Sequence, residues 1–374
     1  MKGLPESVEV VSIIGTLPPI KGISPYCSEL ALMLARDRKV DFINFRKIYP
    51  ERLYPGGTRC HDLYPVDLNH PNLEVRDIIT WYNPLSWIRA GFAIKGRKVI
   101  AQWWAYPLAP IYLVILAIAR LRGKKISITV HNVEPHESNR LSRLLNGTVL
   151  PLADTLIVHT QDNKDELVRR GWEEKKIEVV PHPLLKAGGE TDIESMDKEE
   201  ARRALGLSNN HNVLCFFGNI REYKGLDNLL LALADLRKFF PDIRLIIAGQ
   251  PWGNWARYQA IIEESGLEPL VISKPYFLPF HELACCLKAS DLVVFPFKEF
   301  HSASGSLSLA LGMGCDVLCT RNVMTEEREN VFVVEDSSPD AIAEGVLAYF
   351  LYQKQAPLPA REAASVVSQD QLQR

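Results

Sequence analysis

The chain has 374 residues, 47% of them hydrophobic and 24% charged, with a formal net charge of −2. That length exceeds one comfortable core and points to two or three domains, while the composition is that of an ordinary soluble globular protein and excludes a low-complexity chain. The small net charge hides an asymmetry: residues 1–183 carry 25 Lys and Arg against 19 Asp and Glu, a balance of +6, and the remainder 18 against 26, or −8. A basic first half hints at an anionic partner or membrane surface, and no nucleic-acid partner is expected.

Val8 to Gly15 is an apolar run ending in glycine, followed by a loop with Pro18, Pro19 and Gly22 and a helical pattern from Ser24 through Leu34. A strand, a glycine-bearing loop and a helix in that order open an α/β fold. Further strands are expected at Val40 to Asn44, Val75 to Ile79, Val99 to Trp103, Ser127 to Val130 and Thr155 to His159, with helical patterns between several of them, which predicts a parallel sheet. Ala101 to Ala119 is free of charge and flanked by Arg97, Lys98, Arg120 and Arg122, but Pro107 and Pro110 interrupt it. A short strand followed by a buried helix from near Pro107 is the favoured reading, ahead of membrane-surface contact and far ahead of a membrane span.

The chain turns polar and highly charged from Lys186 to Arg203, so residues 184–210 are expected to connect a first domain, 1–183, to a second, 211–355. The second series has strands at Val213 to Phe217, Arg244 to Ala248, Val271 to Ser273, Leu292 to Phe295, Asp316 to Cys319 and Val331 to Val334, and residues 356–374 form a tail. Two Rossmann-like domains, facing each other across a cleft that holds the active site, are the expected fold. The seven cysteines, Cys285-Cys286 and the pair Cys315 and Cys319 included, show neither zinc spacing nor a disulfide framework. Reduced, buried thiols in a cytoplasmic protein are expected, and Met1 to Glu9 lacks the apolar run of a signal peptide.

The most informative segment is Phe216 to Gly225, where Gly218, Arg221 and Lys224 lie between the end of a strand and the leucine-rich helix Leu226 to Leu236. Strand carboxyl ends and helix N-termini converge there in doubly wound domains, and a guanidinium with an ammonium three residues on suits a diphosphate. A surface turn bearing two solvated charges is the competing reading.

Three more segments join it: Pro18 to Tyr26 with Gly22, Thr129 to Glu137 with His131, and Phe300 to Leu307 with Ser304, Gly305 and Ser306. Together the four resemble a group 1 glycosyltransferase, a retaining family 4 enzyme of the GT-B fold, over nearly the whole chain. The resemblance implies a hexosyltransferase that uses a nucleotide-sugar donor and a glycan or polyprenyl (lipid-linked) acceptor, with no cofactor and no metal. In it, Gly22 lets the first domain's backbone approach the donor diphosphate, Arg221 and Lys224 neutralise that diphosphate, and His131 faces the donor sugar. Gly218 and the Ser304-Gly305-Ser306 loop bind the donor as well. No Asp-x-Asp pair occurs in the chain, which fits metal independence. Asn132, His136 and Glu137 have weaker claims.

The chain departs from the commonest family pattern at its paired glutamates, whose matching positions are Ser302 and Ala310. Trp103, Trp104 and Tyr106 end a first-domain strand, where stacking on an acceptor and ordinary core packing stay open alternatives. A nucleotide-sugar epimerase of the same fold and a non-catalytic GT-B binding subunit remain open too. A cytoplasmic place, peripheral on the inner face of the cell membrane, is expected.

Overall fold

The alternation of apolar runs with helical patterns produces two parallel sheets in a computed structural model that describes residues 9–49, 57–133, 145, 147–185, 196–299, 304–323 and 328–353. The chain divides into two compact units. One comprises Met1–Glu194 with Pro279–His281 and His301–Met313, the other Ser195–Leu278, Glu282–Phe300 and Gly314–Arg374.

The first sheet contains β1 (Val10–Gly15), β2 (Lys39–Lys47), β3 (Leu73–Thr80), β4 (Lys98–Trp103), β5 (Lys125–Val130), β6 (Thr155–Val158) and β7 (Ile177–Val179). Its helices are α1 (Ser24–Ala35), α2 (Pro84–Ala93), α3 (Ala109–Leu121) and α4 (Gln161–Arg169). The strand order is β3-β2-β1-β4-β5-β6-β7, all parallel. The central strand β1 is buried from Val11 to Gly15, as both faces of a parallel sheet require. On β2 the buried carboxylate of Asp41 is satisfied by Ser12 Oγ (2.6 Å), the Lys95 backbone N–H (3.0 Å) and Arg76. The apolar segment before Ala119 is a core helix: α3 buries Ile111, Tyr112, Ile115, Leu116 and Ala119. Among the described residues no helix is long and apolar enough to cross a membrane.

The second sheet contains β8 (Asn212–Phe217), β9 (Ile243–Ala248), β10 (Val271–Lys274), β11 (Leu292–Phe295), β12 (Val317–Thr320) and β13 (Val331–Val334), in the order β10-β9-β8-β11-β12-β13. Between and around them run α5 (Lys198–Ala204), α6 (Leu226–Leu236), α7 (Ala256–Glu264), α8 (Phe280–Ala289), α9 (Gly305–Gly312) and α10 (Pro339–Ala348). α6 spans the residues its sequence pattern indicates and inserts Leu226, Leu229, Leu230, Leu233 and Leu236 into the core.

Two elements were not expected. β7 is only three residues long and carries too little periodicity to announce itself. α5 lies inside the charged stretch read as connection: Asp197 and Glu200 form a capping box, and Arg202, 3% exposed, pairs with Asp291 at 2.9 Å. A buried ion pair holds a segment whose composition alone reads as solvated.

In both sheets the chain works outward from a central strand to one edge, crosses back, and fills the other side. The order therefore reverses between β1 and β4 and between β8 and β11, and the carboxyl ends of those strand pairs are where open α/β sheets bind ligands.

Candidate active site

In the second unit the switch point is occupied by the segment following β8. Gly218, at φ 112°, donates its N–H to Ala248 O (2.9 Å), and its carbonyl passes so close to Gly249 that a Cβ there would lie 1.8 Å from it. The chain then runs through Ile220, bonded to Gln250 O (2.8 Å), to a short 3₁₀ turn, Glu222–Lys224. Gly225 ends that turn at φ 69° and opens α6; a Cβ on it would fall 1.9 Å from Pro296 O, beyond the end of β11. Glycine is thus required twice over, for conformation and for space.

Four cations surround this turn, and the structure separates them into two kinds. Arg257 bonds Glu222 (2.9 Å) and Asp227 (2.7 Å), and Lys298 bonds Asp227 (2.7 Å), so their charges are answered. Among the described residues no carboxylate lies within ion-pair distance of Arg221 or Lys224. Arg221 instead lays its guanidinium over the Trp252 ring, 4.0 Å from the centroid, and the Lys224 ammonium sits 4.9 Å from the Phe297 centroid. Lys224 is buried, 6% exposed, which removes the solvated-surface reading for it. Burial, reinforced by the neighbouring Arg221 charge, pushes its pKa down to about 7. With no described carboxylate in reach and both groups resting on aromatic faces, Arg221 and Lys224 form an arrangement that can take an anion.

In the first unit a second cluster gathers at strand ends. His131 follows β5, His159 follows β6, and His182 lies just beyond β7. Tyr26, in the first turn of α1, stands at their centre, with ring centroids 4.6, 5.1 and 5.0 Å from His131, His159 and His182 respectively. His131 Nε2 is 2.8 Å from Gln102 Oε1, His159 Nδ1 donates to Val180 O (2.8 Å), and His182 Nδ1 is 2.8 Å from Pro183 O and 3.1 Å from Ser308 Oγ on α9. Burial, then the neighbouring rings, holds the His131 pKa well below the usual range; the same causes bring His182 to about 4, and burial lowers His159. The three imidazoles are neutral hydrogen-bonding groups at physiological pH.

The other sequence-indicated residues distribute as follows. Gly22 is exposed at φ 96° in the loop before α1, with nothing near enough to meet a Cβ, so its backbone angle and not crowding calls for glycine. Ser304 caps α9, its Oγ accepting from the Leu307 N–H (3.2 Å), so its hydroxyl already serves the helix; Gly305 is exposed and Ser306 half-buried. α9, although it lies between β11 and β12 in sequence, belongs to the first unit: Ser308 Oγ donates to Pro183 O (2.6 Å), and a Cβ on Gly312 would lie 2.1 Å from Leu185 O. Ala310 is fully buried and offers no polar group. Trp103 is 1% exposed with its ring edge-on to Tyr112 (5.5 Å), so it is spent on the core, whereas Trp104 and Tyr106 are half-buried against it. Asn132 donates to Trp104 O (3.1 Å). His136, Glu137, Ser302 and the tail 356–374 lie outside the described residues. All seven cysteines are free thiols. Among the described residues no group of three or more His, Cys, Asp or Glu is arranged to hold a metal ion.

Tyr26, Gln102, His159, His182 and Ser308 were not singled out by the sequence. A signal existed for the histidines, since each follows one of three successive strands, but it requires β7 to be recognised first.

The fold is that of solved GT-B glycosyltransferases. Anabaena Alr3699/HepE in complex with UDP and glucose superposes with a TM-score of 0.67 at 16% identity, covering 92% of this chain and 91% of that one. The catalytic domain of Starch Synthase IV from Arabidopsis thaliana, bound to ADP and acarbose, gives 0.65 at 13% identity, with 93% of both chains covered. Residues 20–184 match the family described as Glycosyltransferase Family 4, and residues 211–350 that described as Glycosyl transferases group 1. These two stretches are thus similar to group 1 glycosyltransferase family domains. Among curated relatives, a D-inositol 3-phosphate glycosyltransferase of Corynebacterium urealyticum is 29% identical over 227 residues, 56% of this chain and 52% of the relative. One from Segniliparus rotundus is 31% identical over 180 residues, 47% and 38% respectively. The chain spans about half or less of the length of these relatives.

Proposed function

We propose that this protein transfers a hexose from a nucleotide-sugar donor to a hydroxyl of a glycan or lipid-linked acceptor, with retention of configuration and without a metal. The observation that carries the proposal is the pair Arg221 and Lys224, uncompensated by any described carboxylate at the β8/β11 switch point. Cleaving a sugar from a nucleoside diphosphate leaves negative charge on the departing phosphate, and fixed cations in a low-dielectric pocket stabilise that charge as it develops. On this reading residues 211–355 hold the donor and residues 1–183 serve the acceptor side, with His131 hydrogen-bonding the donor sugar as a neutral imidazole. The nucleotides bound in the similar structures support the same class of donor. Incubation with a panel of UDP-, GDP- and ADP-sugars and candidate acceptors, with products analysed by mass, tests it. A mass gain on the acceptor supports transfer; an isomerised free sugar nucleotide would indicate an epimerase, and binding without turnover a non-catalytic subunit.

For location we propose peripheral contact with the anionic inner face of the cell membrane. On α2, Leu85, Ile88 and Phe92 follow one another at helical spacing and are all exposed, as is Leu121 at the end of α3. Arg122 Nη1 donates to Gly91 O (3.0 Å) and Ile94 O (3.1 Å), which brings the ends of α2 and α3 together. Lys95, Arg97, Lys98, Lys124 and Lys125 follow directly, so exposed apolar residues adjoin a basic cluster. The supporting surface is thus chiefly α2, in place of the charge-free segment before Ala119.

A further inference from the structure

The polar group deepest in the first unit's cluster is Gln102. It sits on β4, paired in register with Thr129 and fully buried. Its backbone carbonyl accepts from Tyr112 Oη (2.5 Å), fixing the strand end, and its stem lies over Gly15, where a Cβ would come 3.1 Å from Gln102 Cγ. The side chain therefore has one packed position, and in it Oε1 meets His131 Nε2 at 2.8 Å while Nε2 of the amide has no partner among the described residues. A buried amide nitrogen left unpaired is costly, and an apolar residue of the same shape would avoid the cost. An amide at this place is accounted for if the oxygen has a task.

We propose that Gln102 is a positioning residue that fixes the tautomer of His131, accepting from Nε2–H so that Nδ1 carries the lone pair offered to a hydroxyl of the bound donor. This rests on the glycosyl-transfer reading for its consequence but not for its chemistry. A carboxamide oxygen cannot donate, so a ring nitrogen facing it must bear the proton, and the other nitrogen is then the acceptor. The neutral state that such a tautomer requires is supplied by the burial of the ring beside His159 and His182. The imidazole is held backbone-first as well, with the His131 N–H on Trp103 O (2.9 Å), so the residue next to Gln102 sets the ring's origin and Gln102 its proton.

The direct measurement is histidine ¹⁵N NMR on the full chain, with the His131 signals assigned by their loss in His131→Gln. The wild-type ring is expected as the Nε2–H tautomer; an Nδ1–H ring, which the reversed amide would impose, overturns the proposal irrespective of any catalytic result. Gln102→Leu is expected to mix the tautomers and lower kcat on the order of 100-fold with the donor KM changed less than about threefold, as for loss of a group that orients a catalytic histidine. Gln102→Glu keeps an acceptor, so it should restore most of kcat while moving the acid limb of the pH profile upward, because a carboxylate stabilises the imidazolium. A folded Gln102→Leu variant with the wild-type tautomer would also overturn the proposal. If that variant does not fold, the wild-type spectrum and Gln102→Glu still decide. A protein that shows the expected tautomer but transfers no sugar would refute the functional reading and leave the tautomer assignment standing.

Discussion

Replacing Lys224 with Met should move stability and binding in opposite directions. The ammonium is buried at 6% exposure with no described carboxylate in reach, and its pKa falls from 10.5 to about 7. A lysine whose folded pKa is depressed binds its proton less well in the folded than in the unfolded chain, so stability is lowest below pH 7 and rises as pH climbs from 7 toward 10.5. Methionine fills a similar volume with nothing to desolvate, so Lys224→Met should raise Tm at pH 6 and converge with the wild type near pH 10. Binding of a nucleoside diphosphate goes the other way. Loss of one charge-assisted contact of about 2–3 kcal/mol corresponds to roughly 30- to 150-fold in Kd. In the wild type the ligand must reprotonate the lysine above pH 7, so affinity should fall about tenfold per pH unit there, with uptake of close to one proton. Thermal denaturation across pH, with calorimetric titration of UDP, GDP and ADP in buffers of different ionisation enthalpy, measures both. A variant that binds like the wild type, or that is less stable than it at pH 6, would refute the reasoning.

Gly225→Ala should lose more than about 2 kcal/mol of stability, read as a lower urea midpoint, because the φ of 69° and the approach of Pro296 O to 1.9 Å of the new Cβ both oppose it. Donor turnover should survive EDTA unchanged, since Arg221 and Lys224 supply the positive charge; activity abolished by chelation and restored by Mg²⁺ or Mn²⁺ would contradict this. The chain should float with vesicles containing anionic lipid at low salt and be released by high salt, and Leu85→Ser with Phe92→Ser should weaken flotation without altering turnover on a soluble acceptor. No flotation at low salt would remove the membrane contact.

Much of this was written in local patterns. The positions of β1, β4, β8, β11 and α6 follow from apolar runs bounded by glycine, proline and polar residues, because a strand buried on both faces and a leucine-rich helix each leave a distinct periodicity. The turn after β8 was legible because Gly218, Arg221, Lys224 and Gly225 are neighbours in sequence, and a strand-to-helix turn brings consecutive residues to one place. α5 was not, since its hold on the core depends on Arg202 finding Asp291, 89 residues away.

What sequence alone determined is therefore the class of fold, the order of every strand but β7 along the chain, and the presence of two cations at one strand end. Only the tertiary structure decided which of the four cations near that turn meet a carboxylate among the described residues, because neutralisation depends on where Asp227 and Glu222 point, not on spacing. Likewise it decided that His131, His159 and His182 meet around Tyr26, that Ser308 of α9 joins them, and that Trp103 is spent on packing. Those facts rest on side chains converging from distant strands, and distance along the chain carries no record of distance in space.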